Sequence, residues 1–190
     1  MRALRAVASV SLVIAAVGVL ITPAFLSADY SVLSNSISES GAQGVDGAWL
    51  GRLTLLASGI GVLAATASRR GQWNRVALGA MSLFGAMWCL TAAFSTRSWI
   101  AGAAYDERES SIHSLLATLM AVVIIGALAV AFSRRTADRT SRILAIVLAL
   151  AATFLPLAGV IWPQYAGLFQ RAMFLYTYAW FFRETHVASR

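Results

Sequence analysis

Lysine is missing from this chain and charge of either sign is scarce: 15 basic residues, all arginine, and 8 acidic ones are spread over 190 positions. Without lysine there is no Schiff-base chemistry, which rules out a retinal-type pigment. The one cysteine, Cys89, cannot close an intrachain disulfide, and inside an apolar run it reads as a small packing residue. Charged residues make up 12% of the chain, about half the share of an ordinary soluble domain, so the chain lacks the polar surface needed to face water. What it has instead is apolar length, with 59% hydrophobic residues and a mean hydropathy of +0.72.

Six apolar stretches stand out, at about 6–25, 48–67, 76–94, 111–132, 143–162 and 163–182. Each offers the roughly 20 residues a bilayer-spanning helix needs. None alternates as a barrel strand must, so the fold expected is all-α, a polytopic transmembrane bundle of six helices in one domain. The first stretch follows Met1 and two arginines as a signal peptide would, but it is longer than a signal's apolar core and no A-x-A site follows, so it reads as a retained helix. Glycine and serine at Gly51, Ser58, Gly59 and Gly61, and at Gly79, Ser82 and Gly85, give the second and third helices surfaces for close approach. Pro156 predicts a kink in the fifth.

The charges set an orientation. Arg2 and Arg5 precede the first span, Arg69, Arg70 and Arg75 separate the second and third, and Arg134, Arg135, Arg139 and Arg142 separate the fourth and fifth. Arg183 and Arg190 follow the last. The intervening loops hold only Arg97 and Arg108, together with Asp29, Glu39, Asp46, Asp106, Glu107 and Glu109. The positive-inside rule then places both termini in the cytoplasm. Tyr30, Trp49, Trp99, Tyr105, Trp162 and Tyr165 fall near the outer boundary, and Trp73 and Trp180 near the inner one, as interfacial anchors do. The net charge of +7 belongs to this topology and to anionic lipid contact; no aromatic–basic platform points to nucleic acid.

The residues able to carry chemistry gather in the outer half. Arg52 lies just inside the second helix, and Arg171, with Gln170 beside it, sits about two turns into the last. A charge at that depth must find a carboxylate, a backbone carbonyl, water or a ligand. The fourth helix opens with Asp106, Glu107, Glu109, Ser110 and His113: Ser110 is a natural N-cap, and Glu109 or Asp106 has the spacing to orient His113 as a general base or simply to hydrogen-bond it. The long external segment 27–47 is too apolar at Val32, Leu33 and Ile37 for a free tail; it either folds back over the bundle or stays a solvated loop. His186 lies on the opposite side of the membrane from His113, so the two share no metal, and neither a metal nor a cofactor is expected.

The run 29–41, reading DYSVLSNSISESG, the entry to the fourth helix from Asp106 to His113, and Gly167-Leu168-Phe169-Gln170-Arg171 together resemble the domain-of-unknown-function 998 family over nearly the whole chain. The resemblance implies a six-helix protein of a bacterial inner membrane, of unsettled activity, in which Ser36, Glu39, His113 and Arg171 are family positions. Ser36, Asp106 and His113 also echo the residues that alkaline ceramidases and adiponectin receptors set around zinc. The His-x-x-x-His pair and seventh span of those hydrolases are missing here.

The leading expectation is a binding module with an outward-facing polar pocket. Ser36, Glu39, Arg52, Gln170 and Arg171, joined by Asp106 and His113, would hold an anionic lipid or another amphiphile. One alternative is a lipid-modifying enzyme with His113 as base and Asp106 or Glu109 orienting it. The other is a structural or assembly subunit, as a homo-oligomer or with a membrane-protein partner.

Overall fold

The computed structural model describes residues 2–27, 29–133 and 138–187; Arg134, Arg135 and Arg190, which enter the charge argument, lie outside them. Among the described residues there is no strand. The helices are α1 (Arg2–Ile21), α2 (Ala48–Ser68), α3 (Arg75–Ala93), α4 (Glu107–Leu119), α5 (Val122–Ala131), α6 (Arg139–Ile161) and α7 (Ala166–His186). Short 3-10 turns at Thr22–Phe25 and Pro163–Tyr165 extend α1 and lead into α7. Because α4 and α5 are two halves of one rod, the bundle has six rods.

Five rods, Arg2–Phe25, Ala48–Ser68, Arg75–Ala93, Glu107–Ala131 and Arg139–Ile161, are long and apolar enough to cross a membrane. The sixth, α7, has 21 residues but is less apolar, because it carries Gln170, Arg171, Arg183 and Glu184. Arg171 and Glu184 are buried, so α7 keeps these polar groups inside the protein.

The fourth and fifth rods start earlier than apolarity alone indicates, because carboxylates cap them. Asp106 accepts from the Arg108 and Glu109 amides at 2.8 and 3.1 Å, and Asp138 accepts from the Thr140 amide at 3.0 Å. Ser110, the expected cap, lies inside α4 and accepts from the Arg97 amide at 3.2 Å instead.

Each rod packs against its neighbour in sequence, and α7 returns to α1 to close the ring while also touching α2. The α2–α3 contact is closest at Gly59, where a Cβ would run into Cys89 and the Gly85 carbonyl. An aromatic column from α3, α7 and the turn before α3 fills the middle: Trp73 of that turn stacks on Trp180, Phe181 meets Phe84, and Phe84 leads to Trp88 and Phe174. Trp73 and Trp180, expected as interfacial anchors, are therefore core residues, whereas Trp49 and Trp162 are exposed as an anchor should be.

Candidate functional site

The segment between α1 and α2 folds back over one end of the bundle, and five of the singled-out residues hold it there. Arg171 is 5% exposed. Its Nη1 donates to the carbonyls of Val32, Asn35 and Gly167 at 2.8, 2.8 and 3.0 Å, and its Nη2 donates to the Tyr30 hydroxyl at 2.6 Å. That hydroxyl donates onward to the Ser36 carbonyl at 2.8 Å. Burial pushes the Tyr30 phenol above its ordinary pKa although Arg171 pulls the other way. Of the partners open to Arg171, backbone carbonyls are the ones it takes, and among the described residues it forms no ion pair with a carboxylate. The approach needs Gly167, because a Cβ there would collide with the Asn35 and Val32 carbonyls.

Ser36 and Glu39 form a reciprocal capping box: Glu39 accepts from the Ser36 amide at 2.6 Å and Ser36 accepts from the Glu39 amide at 3.1 Å. Gln170 accepts from the Ile37 amide at 2.5 Å through Oε1. On the other side Arg52 donates from Nε to Gly41 at 3.0 Å and from Nη2 to Ala42 at 3.4 Å. Ser36, Glu39, Arg52, Gln170 and Arg171 thus converge on one loop and fold it.

His113 and Asp106 belong to a second latch at the same end. The Nδ1 of His113 donates to the Phe94 carbonyl at 2.6 Å, while Nε2 is buried and has no hydrogen-bond partner. Neither acid meets the ring: Asp106 caps α4, and Glu109 accepts from the Ser95 amide at 2.5 Å. Gln43 bridges from the other loop, accepting from the Asp106 amide at 2.7 Å and donating to the Ser95 carbonyl at 2.8 Å.

Beneath the folded loop lies a cavity of about 300 Å³. Ser38 and Gln170 stand at its loop side, Phe84, Trp88 and Thr91 on α3, Ala152 and Pro156 on α6, and Met173, Phe174 and Thr177 on α7. Leu55 of α2 and the break between α4 and α5 complete its wall. Here Ala121 donates to Thr118 and Val123 to Met120, so the rod is stitched by i→i−3 bonds. Pro156 has no N–H to give the Ala152 carbonyl, which leaves an acceptor on the facing wall. The principal neighbour of α4 is α3, and the wedge this leaves toward α6 and α7 is what the cavity fills. None of the lining residues is charged. One buried donor stands without an acceptor, the Trp88 indole N–H, while the Gln170 side-chain oxygen takes the Ile37 amide. Such a cavity, apolar with a few convergent polar groups, is the usual form of a small-molecule site. Gln170 is the one singled-out residue that lines it.

The other end holds a polar cluster that sequence reasoning missed. Glu184, fully buried, pairs with Arg69 at 3.4 Å and with Arg183 at 3.0 Å, and accepts from the Ser141 hydroxyl at 2.6 Å. Arg183 also pairs with Asp138 at 2.5 Å. Its hydrogen bond to Asp138 is the main reason that carboxyl titrates at about 2, below its ordinary value. One signal was available. Asp138 and Glu184 are the only acids in the arginine-rich half of the topology, where a lone acid has several arginines to pair with.

Among the described residues no group of three or more histidines, cysteines or acids is placed to hold a metal. Six helical rods, five of them apolar enough to span, define a multi-pass α-helical membrane protein. Residues 5–183 match the family model described as protein of unknown function (DUF998), and the chain belongs to that family. No curated protein and no solved structure matches it.

Proposed function

We propose that this protein is a binding module that holds a membrane amphiphile, its tail in the α3–α7 cavity and an uncharged polar end under the folded loop. The supporting observation is the cavity wall: apolar rings and methyls, no charge, an unsatisfied indole N–H on Trp88, and the Gln170 amide beside the loop. A buried anionic head would go uncompensated there, whereas a carbonyl or hydroxyl oxygen would accept from the Trp88 indole. Arg171 then serves the site by holding its lid. On this reading the site faces outward in a bacterial inner membrane with both termini cytoplasmic, which the positive-inside asymmetry of the sequence supports.

Native mass spectrometry of the protein extracted from its own membrane tests the reading. Wild type should retain an uncharged amphiphile, Trp88→Phe should hold it about tenfold less tightly for the loss of one hydrogen bond, and Ala152→Phe should lose it by filling the cavity. Unchanged retention in Ala152→Phe would sink the proposal. A catalytic role for His113 rests on its free Nε2. It requires a pH-dependent turnover of the retained amphiphile that disappears in His113→Ala while the protein stays folded.

A further inference from the structure

The crossing of α2 and α3 at Gly59 and Gly85 creates two more features on the same stripe of α2. Toward the loop end the helices diverge into a groove of about 400 Å³ lined by Trp49, Arg52, Leu53 and Leu56 of α2 and by Cys89, Ala92 and Ala93 of α3. Toward the other end a second groove of about 420 Å³ runs between Leu63, Thr66 and Ala67 of α2, with Arg70 in the turn just after it, and Leu78, Gly79 and Ser82 of α3. Each groove has apolar walls and one arginine, set toward its own end of α2. Among the described residues neither arginine pairs with a carboxylate. Arg70 is exposed, and Arg52 keeps its Nη1 clear of the two loop carbonyls that hold its Nε and Nη2. In the second groove the Thr66 hydroxyl is buried without a hydrogen-bond partner, an unused donor beside the arginine.

We infer that each groove seats one phospholipid of net negative charge, one in each leaflet, with the phosphate on Arg52 or Arg70 and an acyl chain lying along the α2–α3 seam. The occupant follows from complementarity. A guanidinium is the side chain best shaped for phosphate oxygens, and the apolar wall beyond it runs in the direction a tail takes from its headgroup. Trp49, 65% exposed at the mouth of the first groove, sits where an indole favours the headgroup layer. Thr66 adds a donor suited to the ester oxygens one step below the phosphate in the second. These sites are separate from the uncharged cavity on the far side of α3, and they assign the anionic headgroup to arginines outside it.

The full chain, exchanged into vesicles of equal parts phosphatidylglycerol and phosphatidylcholine and then gently extracted for native mass spectrometry, provides the test. Wild type should carry two tightly held lipids, both phosphatidylglycerol. Arg70→Leu removes a charge with no partner to disturb and should leave one. Gly79→Leu should also leave one although every arginine is retained, because a side chain at Gly79 enters open space beside the groove. Arg52→Gln, which keeps a donor for the loop carbonyls, should remove the other. Two retained lipids in both Arg70→Leu and Gly79→Leu, no preference for phosphatidylglycerol, or loss of these lipids in Ala152→Phe would each overturn the inference.

Discussion

The two ends of the bundle bury arginine in opposite ways. At the loop end Arg171 is surrounded by backbone carbonyls and a phenol, with no acid in its cage. At the other end Arg69 and Arg183 are held by Glu184 and Asp138, with a serine closing the network. A carbonyl cage exists only when the chain supplying the carbonyls is folded, so the arginine and the loop define one another. Carboxylates on helix ends are in place once the helices pack, so that network ties rods to rods. The first arrangement organises a lid, and the second locks a scaffold.

The difference has measurable consequences. The largest expected effect is from Glu184→Gln, which leaves buried Arg69 without its counter-charge and should destabilise the whole bundle by about 3 kcal/mol or more, read as Tm in detergent. Arg171→Leu takes the side-chain donor from the Val32 and Asn35 carbonyls and from the Tyr30 hydroxyl and should cost about 2 kcal/mol. Its signature is spatial: hydrogen exchange should accelerate across residues 30–41 and leave α6 and the far ends of α2 and α7 protected. Uniform acceleration would erase the contrast between lid and scaffold. The smallest effect is acid sensitivity of the Asp138–Arg183 pair. A carboxyl whose pKa is depressed to about 2 on folding stabilises the protein above its unfolded value of about 3.8, and that contribution is lost as pH falls from about 4 to about 2. Both side chains are about a third exposed, so solvent screening keeps the contribution under about 1 kcal/mol. Asp138→Asn should flatten that part of the acid-stability profile.

What the sequence made legible was whatever depends on composition along the chain. Span number, the close-packing stripe through Gly59 and Gly85, and the gathering of Ser36, Glu39, Gln170 and Arg171 at one depth follow from apolar length and from charges that must be shielded. The partners of those charges were not legible. Three of the carbonyls and amides that Arg171 and Gln170 engage belong to Val32, Asn35 and Ile37, and any residue type carries a carbonyl, so no side-chain pattern announces the cage. The cavity was hidden for a related reason. Its wall depends on a break at Met120 and Ala121, where neither glycine nor proline interrupts the apolar run, and on Pro156 facing it from α6. Glu184 escaped because it lies just beyond the apolar stretch assigned to the last helix, while α7 runs on to His186.

The glycine at the α2–α3 crossing has a consequence beyond packing. With Gly59 against Cys89 and the Gly85 carbonyl, the two helices close together between the groove toward one end of the bundle and the groove toward the other. The crossing acts as a septum. While it holds, the flank of the protein presents two separate alcoves, one toward each end of the bundle. A side chain at position 59 would prise the helices apart and join the alcoves into a continuous trench across the thickness of the bilayer.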